Sequence, residues 1–276
     1  MDVATTACVS HEAGRLLTAV VAAPDAGFER AKPIFGEGPP FAARARMEHE
    51  VFVRTLKRNR VDVVELEPDE RFALSTLVRS TAIALPGGVV MARLVEGERR
   101  GEEEAVKALL ERRGVRVLGA VEGPGMFDAR DAVVMGNRLV AARTGATNAA
   151  AIEQLAAFAQ PFGLEIREAR LAPGVSHLGD VFSPVDAEAV VAAPDLVSGA
   201  AMQGVEVVAL AREMWLAAGC LALAPRHVVM DVRMPTACAV LKRAKIFVDA
   251  IDLYDFGRAG AGPWALALPL HRAALR

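Results

Sequence analysis

The sequence is poor in cysteine and in aromatic residues, and it has no excess of charge of one sign. Three of its 276 residues are cysteines, and 5% are aromatic. Cys8, Cys220 and Cys238 form no CxxC or CxxH pair, which argues against a disulfide framework and for a reducing compartment. The net charge of −2 gives no basic surface, so we expect no nucleic-acid partner. The densest charged run, at 97–104, is expected to be a solvated loop and helix start.

Signals for a membrane, a cofactor or a metal are also missing. No uncharged apolar run reaches the length of a membrane span, and the first residues lack the basic and apolar segments of a signal peptide. No glycine-rich phosphate-binding loop follows a strand, and the histidines outside position 177 have no metal-ligand spacing. We therefore expect a cytoplasmic protein with no cofactor, no bound metal and no membrane partner.

What the sequence does contain is a recurring unit of about fifty residues, made of a strand pair, a helix and a further strand. Helices are expected at 42–58, 102–112, 147–159 and 235–245. Five such units closed into a ring would remove exposed sheet edges and bring strand ends together at a central channel. The pattern therefore predicts an α/β fold of repeats around a cleft, in one domain over residues 1–276.

The stretch 121–148 carries the most distinctive polar residues. A glycine- and proline-rich turn leads to Asp128 and Asp131, which stand before two short apolar strands joined by a tight Gly-Asn turn. His177 lies beyond the next predicted strand, and a carboxylate and a histidine at the ends of buried strands could be partners in acid–base chemistry. An ordinary arrangement also fits, in which the aspartates solvate a loop and His177 is a turn residue with its hydrogen bonds made.

An ordered set of motifs resembles one family. FDARD at 127–131 looks like the FDAAD segment of amidinotransferases, SHLGD at 176–180 resembles a histidine motif, and GAGPWALALPLHR at 260–272 resembles a closing motif. PDERF at 68–72 and RRGE at 99–102 look like a bacterial dimethylarginine hydrolase. Nearly the whole chain thus resembles the guanidine-modifying (pentein) superfamily: dimethylarginine dimethylaminohydrolases, arginine deiminases and arginine:glycine amidinotransferases. The resemblance implies a five-bladed α/β propeller of pseudo-fivefold ββαβ repeats around a central cleft.

The resemblance also implies residue roles. In the family, a closing cysteine attacks the guanidinium carbon, a histidine protonates the leaving amine, and a carboxylate orients the histidine. A thiolate suits this chemistry because the target is a stabilised cation and a weak electrophile. His177 matches the general acid/base, Asp128 matches the carboxylate that orients it, and Asp131 matches the next acidic position, which we expect to bind substrate.

The departures from the family pattern lie at the nucleophile and on the substrate side. The nucleophile position falls on Ala265, so covalent catalysis through a thiolate is lost. Ser80 stands where a guanidinium-binding aspartate is expected, and Arg79 beside it would favour a substrate carboxylate. Gly179 replaces a lysine or aspartate of the relatives. Trp264 either lines the substrate site or belongs to the core.

Two interpretations of Ala265 stay open: an engineered cysteine-to-alanine change, or a natural loss of the thiol. The first corresponds to a guanidino-group hydrolase of the arginine or methylarginine type (dimethylargininase-like), present in a disabled form. The second corresponds to a natural non-catalytic or repurposed member that binds a small metabolite or a partner protein. An amidinotransferase is a further alternative. The enzymatic alternatives imply a small-molecule substrate, and a homodimer stays open.

Overall fold

The computed structural model describes residues 7–95 and 97–275. The expectation about a signal peptide falls partly on residues 1–6, which lie outside the described residues. Helices form at the predicted places, with ends that shift by up to two residues, and the pattern does not predict the short last one. In chain order they are α1 (Ala42–Arg58), α2 (Glu102–Arg112), α3 (Ala149–Ala159), α4 (Pro235–Arg243) and α5 (Tyr254–Arg258). None of the described helices is long and apolar enough to cross a membrane.

Local chemistry determines where the helices begin. The Asn148 side chain accepts a hydrogen bond from the Ala151 amide at 3.0 Å and caps α3. Helix α2 follows Gly101, whose φ of 96° is in the left-handed region, and it carries three glutamates in its first turn. Helix α4 starts at Pro235, which needs no amide partner at that position.

The strands are short, and they form five sheets within the described ranges. In chain order they are β1 (Leu16–Ala22), β2 (Asp62–Leu66), β3 (Ala82–Leu85), β4 (Gly88–Met91), β5 (Val117–Ala120), β6 (Ala132–Met135), β7 (Arg138–Ala142), β8 (Glu165–Leu171), β9 (Phe182–Asp186), β10 (Ala189–Ala192), β11 (Val197–Gly199), β12 (Glu206–Ala209), β13 (Leu221–Ala224), β14 (His227–Asp231), β15 (Phe247–Ile251) and β16 (Leu268–Arg272).

Every sheet contains the same three-stranded motif. Two strands pair antiparallel, and the second of them pairs parallel with a third strand after a crossover. The motif appears as β3-β4-β5, β6-β7-β8, β9-β10-β12 and β13-β14-β15, and the remaining sheet pairs β16 with β1 and β1 with β2. A parallel pair needs a long crossover, which α1 to α4 supply in four of the sheets.

The unit that contains β9 departs from the predicted repeat. Its crossover from β10 to β12 carries a 3-10 turn at Ala200–Met202 and the strand β11, but no α-helix in its described residues. Strand β11 joins β8 of the preceding sheet instead. The sequence pattern also missed β9, because Pro184 interrupts its apolar run and proline is unusual inside strands.

The antiparallel hairpins lie inside and the third strands lie outside. All four residues of β3, β4, β6 and β10 are buried, whereas β2, β5 and β12 contain exposed and half-buried positions. A strand that is covered on both faces has an uninterrupted apolar sequence, which explains the Val- and Ala-rich hairpins. The ends of the inner strands are therefore the places where polar side chains meet in the interior.

Candidate functional site

Four 3-10 turns bring the predicted site residues together. They span Val78–Thr81, Ala129–Asp131, Leu178–Asp180 and Pro263–Leu266, and they precede β3, β6, β9 and β16 respectively. The first turn contacts the second, the second contacts the third, and the third and the first both contact the fourth. Equivalent positions of four units therefore form one contiguous group, although they are far apart in sequence.

Asp131 holds the ring of His177. The imidazole Nδ1 lies 3.2 Å from Asp131 Oδ1, and the Leu178 amide donates to the same oxygen at 3.2 Å. The hydroxyls of Thr144 and Thr147 both donate to Asp131 Oδ2 at 2.6 Å. Asp131 is fully buried with both oxygens occupied, so it orients His177 and leaves little capacity for a ligand.

Asp128 sits between two arginines. Its Oδ2 accepts from Arg99 Nη1 at 3.1 Å and from Arg130 Nη2 at 3.4 Å, and it lies 3.9 Å from Nε2 of His177. Arg130 Nη2 also contacts His177 Nε2. The expectation that Asp128 orients the imidazole differs from this arrangement: Asp131 makes the hydrogen bond, and Asp128 neutralises the two guanidinium groups.

These contacts shift the titration of the buried groups. Burial raises the pKa of Asp128, but Arg130, His177 and Arg99 outweigh it and hold that pKa well below its usual range. For His177, burial and the Arg130 guanidinium lower the pKa, while Asp128 and Asp131 raise it, and the net direction is upward. Burial raises the pKa of Asp180 despite its cationic neighbours.

A cavity of about 310 Å³ opens beside His177. It is lined by Ile34, Leu74, Leu77, Arg99, Arg130, Gly145, Ala146, Val175, Ser176, His177, Asp180, Ala259 and Gly260. The charged groups at its wall are thus two guanidiniums and one carboxyl group, together with the imidazole. Asp128 and Asp131 are absent from this lining and lie behind it. Both guanidiniums also donate to buried carboxylates: Arg99 to Glu102 and Asp128, and Arg130 to Asp128. At the wall itself, two guanidiniums face one carboxyl group.

The other predicted site residues lie in the packing around the turns. Arg79 is fully buried, donates to Glu12 at 2.6 Å, and stacks over the Trp264 ring with 4.4 Å between its Cζ and the ring centroid. Ser80 and Ala265 are buried as well. Gly179 lies directly against Trp264: an added Cβ would be 2.0 Å from the indole. None of these five residues is part of the cavity lining described above.

The cysteines of the described chain lie in surroundings that do not activate a thiol. Ala265 presents a methyl group at the expected nucleophile position. Cys220 is fully buried, and burial raises its pKa to about 12, which keeps it protonated. Cys238 lies in α4 with its thiol against Met230, and Cys8 forms a β-bridge with His271.

Sequence reasoning missed the arginines of this site. The charged run at 97–104 is not fully solvated: Arg99 and Glu102 are 7% and 4% exposed, and they form an ion pair at 2.6 Å. A charge-rich pattern does not reveal which of its side chains turns inward. Arg130 did leave a signal, because FDARD has arginine where the FDAAD segment has alanine. Among the described residues, no group of His, Cys, Asp and Glu is arranged to hold a metal ion.

Known proteins resemble this chain in sequence. Dimethylarginine dimethylaminohydrolase of Pseudomonas aeruginosa is 26% identical over 231 residues, which cover 84% of this chain and 90% of that enzyme. Over most of its length the chain is thus similar in sequence to dimethylarginine dimethylaminohydrolase. The corresponding enzyme of Streptomyces coelicolor is also 26% identical, over 117 residues that cover 42% of this chain and 45% of that enzyme. No protein-family model matches the chain.

Solved structures agree in fold. A mutant of the Pseudomonas aeruginosa enzyme complexed with citrulline superimposes with a TM-score of 0.84 at 24% identity, covering 92% of this chain and 99% of that one. An amidinotransferase of saxitoxin biosynthesis from Microseira wollei gives 0.84 at 16% identity, with 98% of each chain covered. The predicted resemblance to the guanidine-modifying superfamily is confirmed, with a shared mixed α/β fold.

Proposed function

We propose that this chain is a dimethylargininase-like protein that binds a small carboxylate-bearing metabolite beside His177 and does not use thiolate chemistry on a guanidino group. The observation that carries the proposal is the wall of the cavity, which presents the guanidiniums of Arg99 and Arg130. An arginine fork matches the two oxygens of a carboxylate and adds charge to the hydrogen bonds.

The state of the acidic residues supports this choice of ligand. A guanidinium ligand needs carboxylates that can accept its donors. Asp128 and Asp131 already accept hydrogen bonds from arginine, threonine and backbone groups, and both are buried. Asp180 is the one carboxyl group in the cavity lining, and its raised pKa weakens its attraction for a cation.

The five-bladed propeller implied by the resemblance is compatible with the same proposal. We infer that the five sheets are the blades of one propeller-like domain. Contacts of β16 with β3, of β1 with β13 and of β13 with β9 support neighbouring places for four of them. The contacts among the 3-10 turns and the bridge between Arg93 and Phe127 support the place of the fifth. In such a ring the cavity beside His177 would lie near the central cleft.

A guanidino-group hydrolase disabled by Ala265 is the second candidate. Homology to dimethylarginine dimethylaminohydrolase and the paired His177 and Asp131 favour it.

Under this candidate, Ala265→Cys supplies the missing nucleophile and the variant releases citrulline from arginine or a methylated arginine. An Ala265→Ser variant is the matched control, because a hydroxyl is a far weaker nucleophile than a thiolate. Citrulline release by the cysteine variant alone would replace the proposed function with this one, and transfer of the amidino group to an added amine would indicate an amidinotransferase.

Calorimetry with three related ligands separates carboxylate recognition from guanidinium recognition. Arginine carries both groups, agmatine lacks the carboxylate, and norvaline lacks the guanidinium. The proposal predicts that arginine and norvaline bind and that agmatine does not, with a loss of norvaline binding in Arg99→Ala. Arg167→Ala, which removes a guanidinium that is 42% exposed on β8, should bind norvaline as the unaltered protein does. Binding of agmatine without binding of norvaline would contradict the proposal.

A further inference from the structure

Arg130 occupies a position that an external guanidinium would otherwise suit. Its guanidinium lies between the Asp128 carboxylate and Nε2 of His177, with Nη2 at 3.4 Å from Asp128 Oδ2. Its side chain is 6% exposed, and it forms part of the wall of the cavity beside His177. The protein therefore supplies one guanidinium of its own at the junction of the carboxylate, the imidazole and the cavity.

Asp128 and His177 are also held by contacts other than those with the Arg130 side chain. The Arg130 backbone amide donates to Asp128 Oδ1 at 2.9 Å, and this bond is independent of the side chain. Arg99 holds the other oxygen of Asp128 at 3.1 Å, and Asp131 holds the far side of the imidazole. Shortening the side chain should leave a space that opens into the cavity and keeps the carboxylate and the imidazole in place.

We infer that Arg130 is a specificity-determining residue: it fills a guanidinium subsite between Asp128 and His177, and it thereby keeps the guanidino group of a ligand out of this subsite while adding a donor for an anionic group. This inference goes beyond the proposed function, since it names the residue that sets the ligand class. The sequence agrees with it, because the amidinotransferase segment that 127–131 resembles has alanine at this position.

Titration of methylguanidinium into Arg130→Ala tests the inference. We expect the variant to bind methylguanidinium about tenfold or more tightly than the unaltered protein, since a hydrogen bond between charged groups becomes available. Methylammonium has the charge without the planar donors, and N-methylurea has the shape without the charge, so both should bind more weakly. Asp128→Asn in the Arg130→Ala background should remove the gain. Arg167→Ala should show no gain.

The design also covers loss of folding. Circular dichroism and thermal unfolding first establish whether Arg130→Ala is folded. Arg130→Gln is a second variant, which is neutral but keeps an amide donor near Asp128. If Arg130→Ala is folded only in methylguanidinium and not in methylammonium, that rescue supports the inference. If either variant is folded and binds methylguanidinium no better than the unaltered protein, the inference is overturned. This outcome is independent of the proposed function, which is tested by norvaline binding to the unaltered protein.

Discussion

Arg130 and Asp131 are neighbours in sequence, and they act on His177 in opposite directions. The guanidinium of Arg130 approaches Nε2 and lowers the pKa of the imidazole, while the carboxylate of Asp131 receives Nδ1 and raises it. One ring nitrogen of His177 thus has a cationic partner, and the other has an anionic partner. Two adjacent side chains therefore contact both nitrogens of the ring, and together with burial and Asp128 they shift its pKa.

Asp131→Asn should lower the pKa of His177. The change keeps the size of the side chain but removes a carboxylate that raises this pKa, and burial and Arg130 then act with only Asp128 to oppose them. Titration of the imidazole carbon-bound protons by NMR measures the effect. Asp195→Asn, at an exposed position, is the control and should leave the His177 titration in place. An unchanged or raised pKa in Asp131→Asn would show that Asp131 does not set the charge of the ring.

At the scale of elements, the 3-10 turns before the inner strands carry the site. Each turn ends at a strand that is almost fully buried, so its polar side chains project from a fixed base. The turns also pack closely on one another. Gly179 in one turn and Trp264 in another leave no space for a methyl group between them, so this position accepts glycine only.

Gly179→Ala should destabilise the protein by about 1–3 kcal/mol, because overpacking forces side chains out of their preferred positions. The added Cβ would lie 2.0 Å from Cζ3 of Trp264, closer than atoms can approach. Urea unfolding measures the loss. Gly145→Ala is the matched control: its added Cβ meets nothing within 4 Å, so a change within about 0.5 kcal/mol is expected. Equal stability of the two variants would contradict the close packing of the turns.

The elements also show what a sequence can predict. Local periodicity is visible where an apolar pattern is uninterrupted, which is why the four longest helices were predicted. Strand β9 was not predicted, because Pro184 hides its pattern. The partner of His177 Nδ1 depends on whether Asp128 or Asp131 of the FDARD motif reaches the imidazole. Spacing places both aspartates near His177 but does not distinguish them.

At the scale of the whole molecule, the described chain is tied together across its length. Strand β1 lies between β2 and β16, so the first and last strands share a sheet. The Arg272 guanidinium in β16 donates to the carbonyls of Gly14 and Ala222, at 2.7 and 2.8 Å, and it lies 3.3 Å from Glu12. Contacts of this kind couple early and late segments, which supports the proposal of one domain.

One cooperative unfolding transition is therefore expected. Far-ultraviolet circular dichroism follows all helices and strands, while tryptophan fluorescence follows the region of Trp264 and Trp215. If the chain is one domain, the two signals should give the same midpoint and the same dependence on urea. Two transitions, or midpoints that differ between the signals, would indicate separately folding parts.

The pairing of β1 with β16 also has a consequence for the time course of synthesis. Strand β1 is made before almost all of the other described segments, and its antiparallel partner β16 is made after almost all of them. At ordinary elongation rates this delay is on the order of 10 to 50 seconds. During that interval an apolar strand has an unpaired edge, which can join with another chain. The newly made chain is therefore vulnerable to aggregation through β1, and a molecule that shields nascent apolar segments should increase the yield of folded protein more than it increases its final stability.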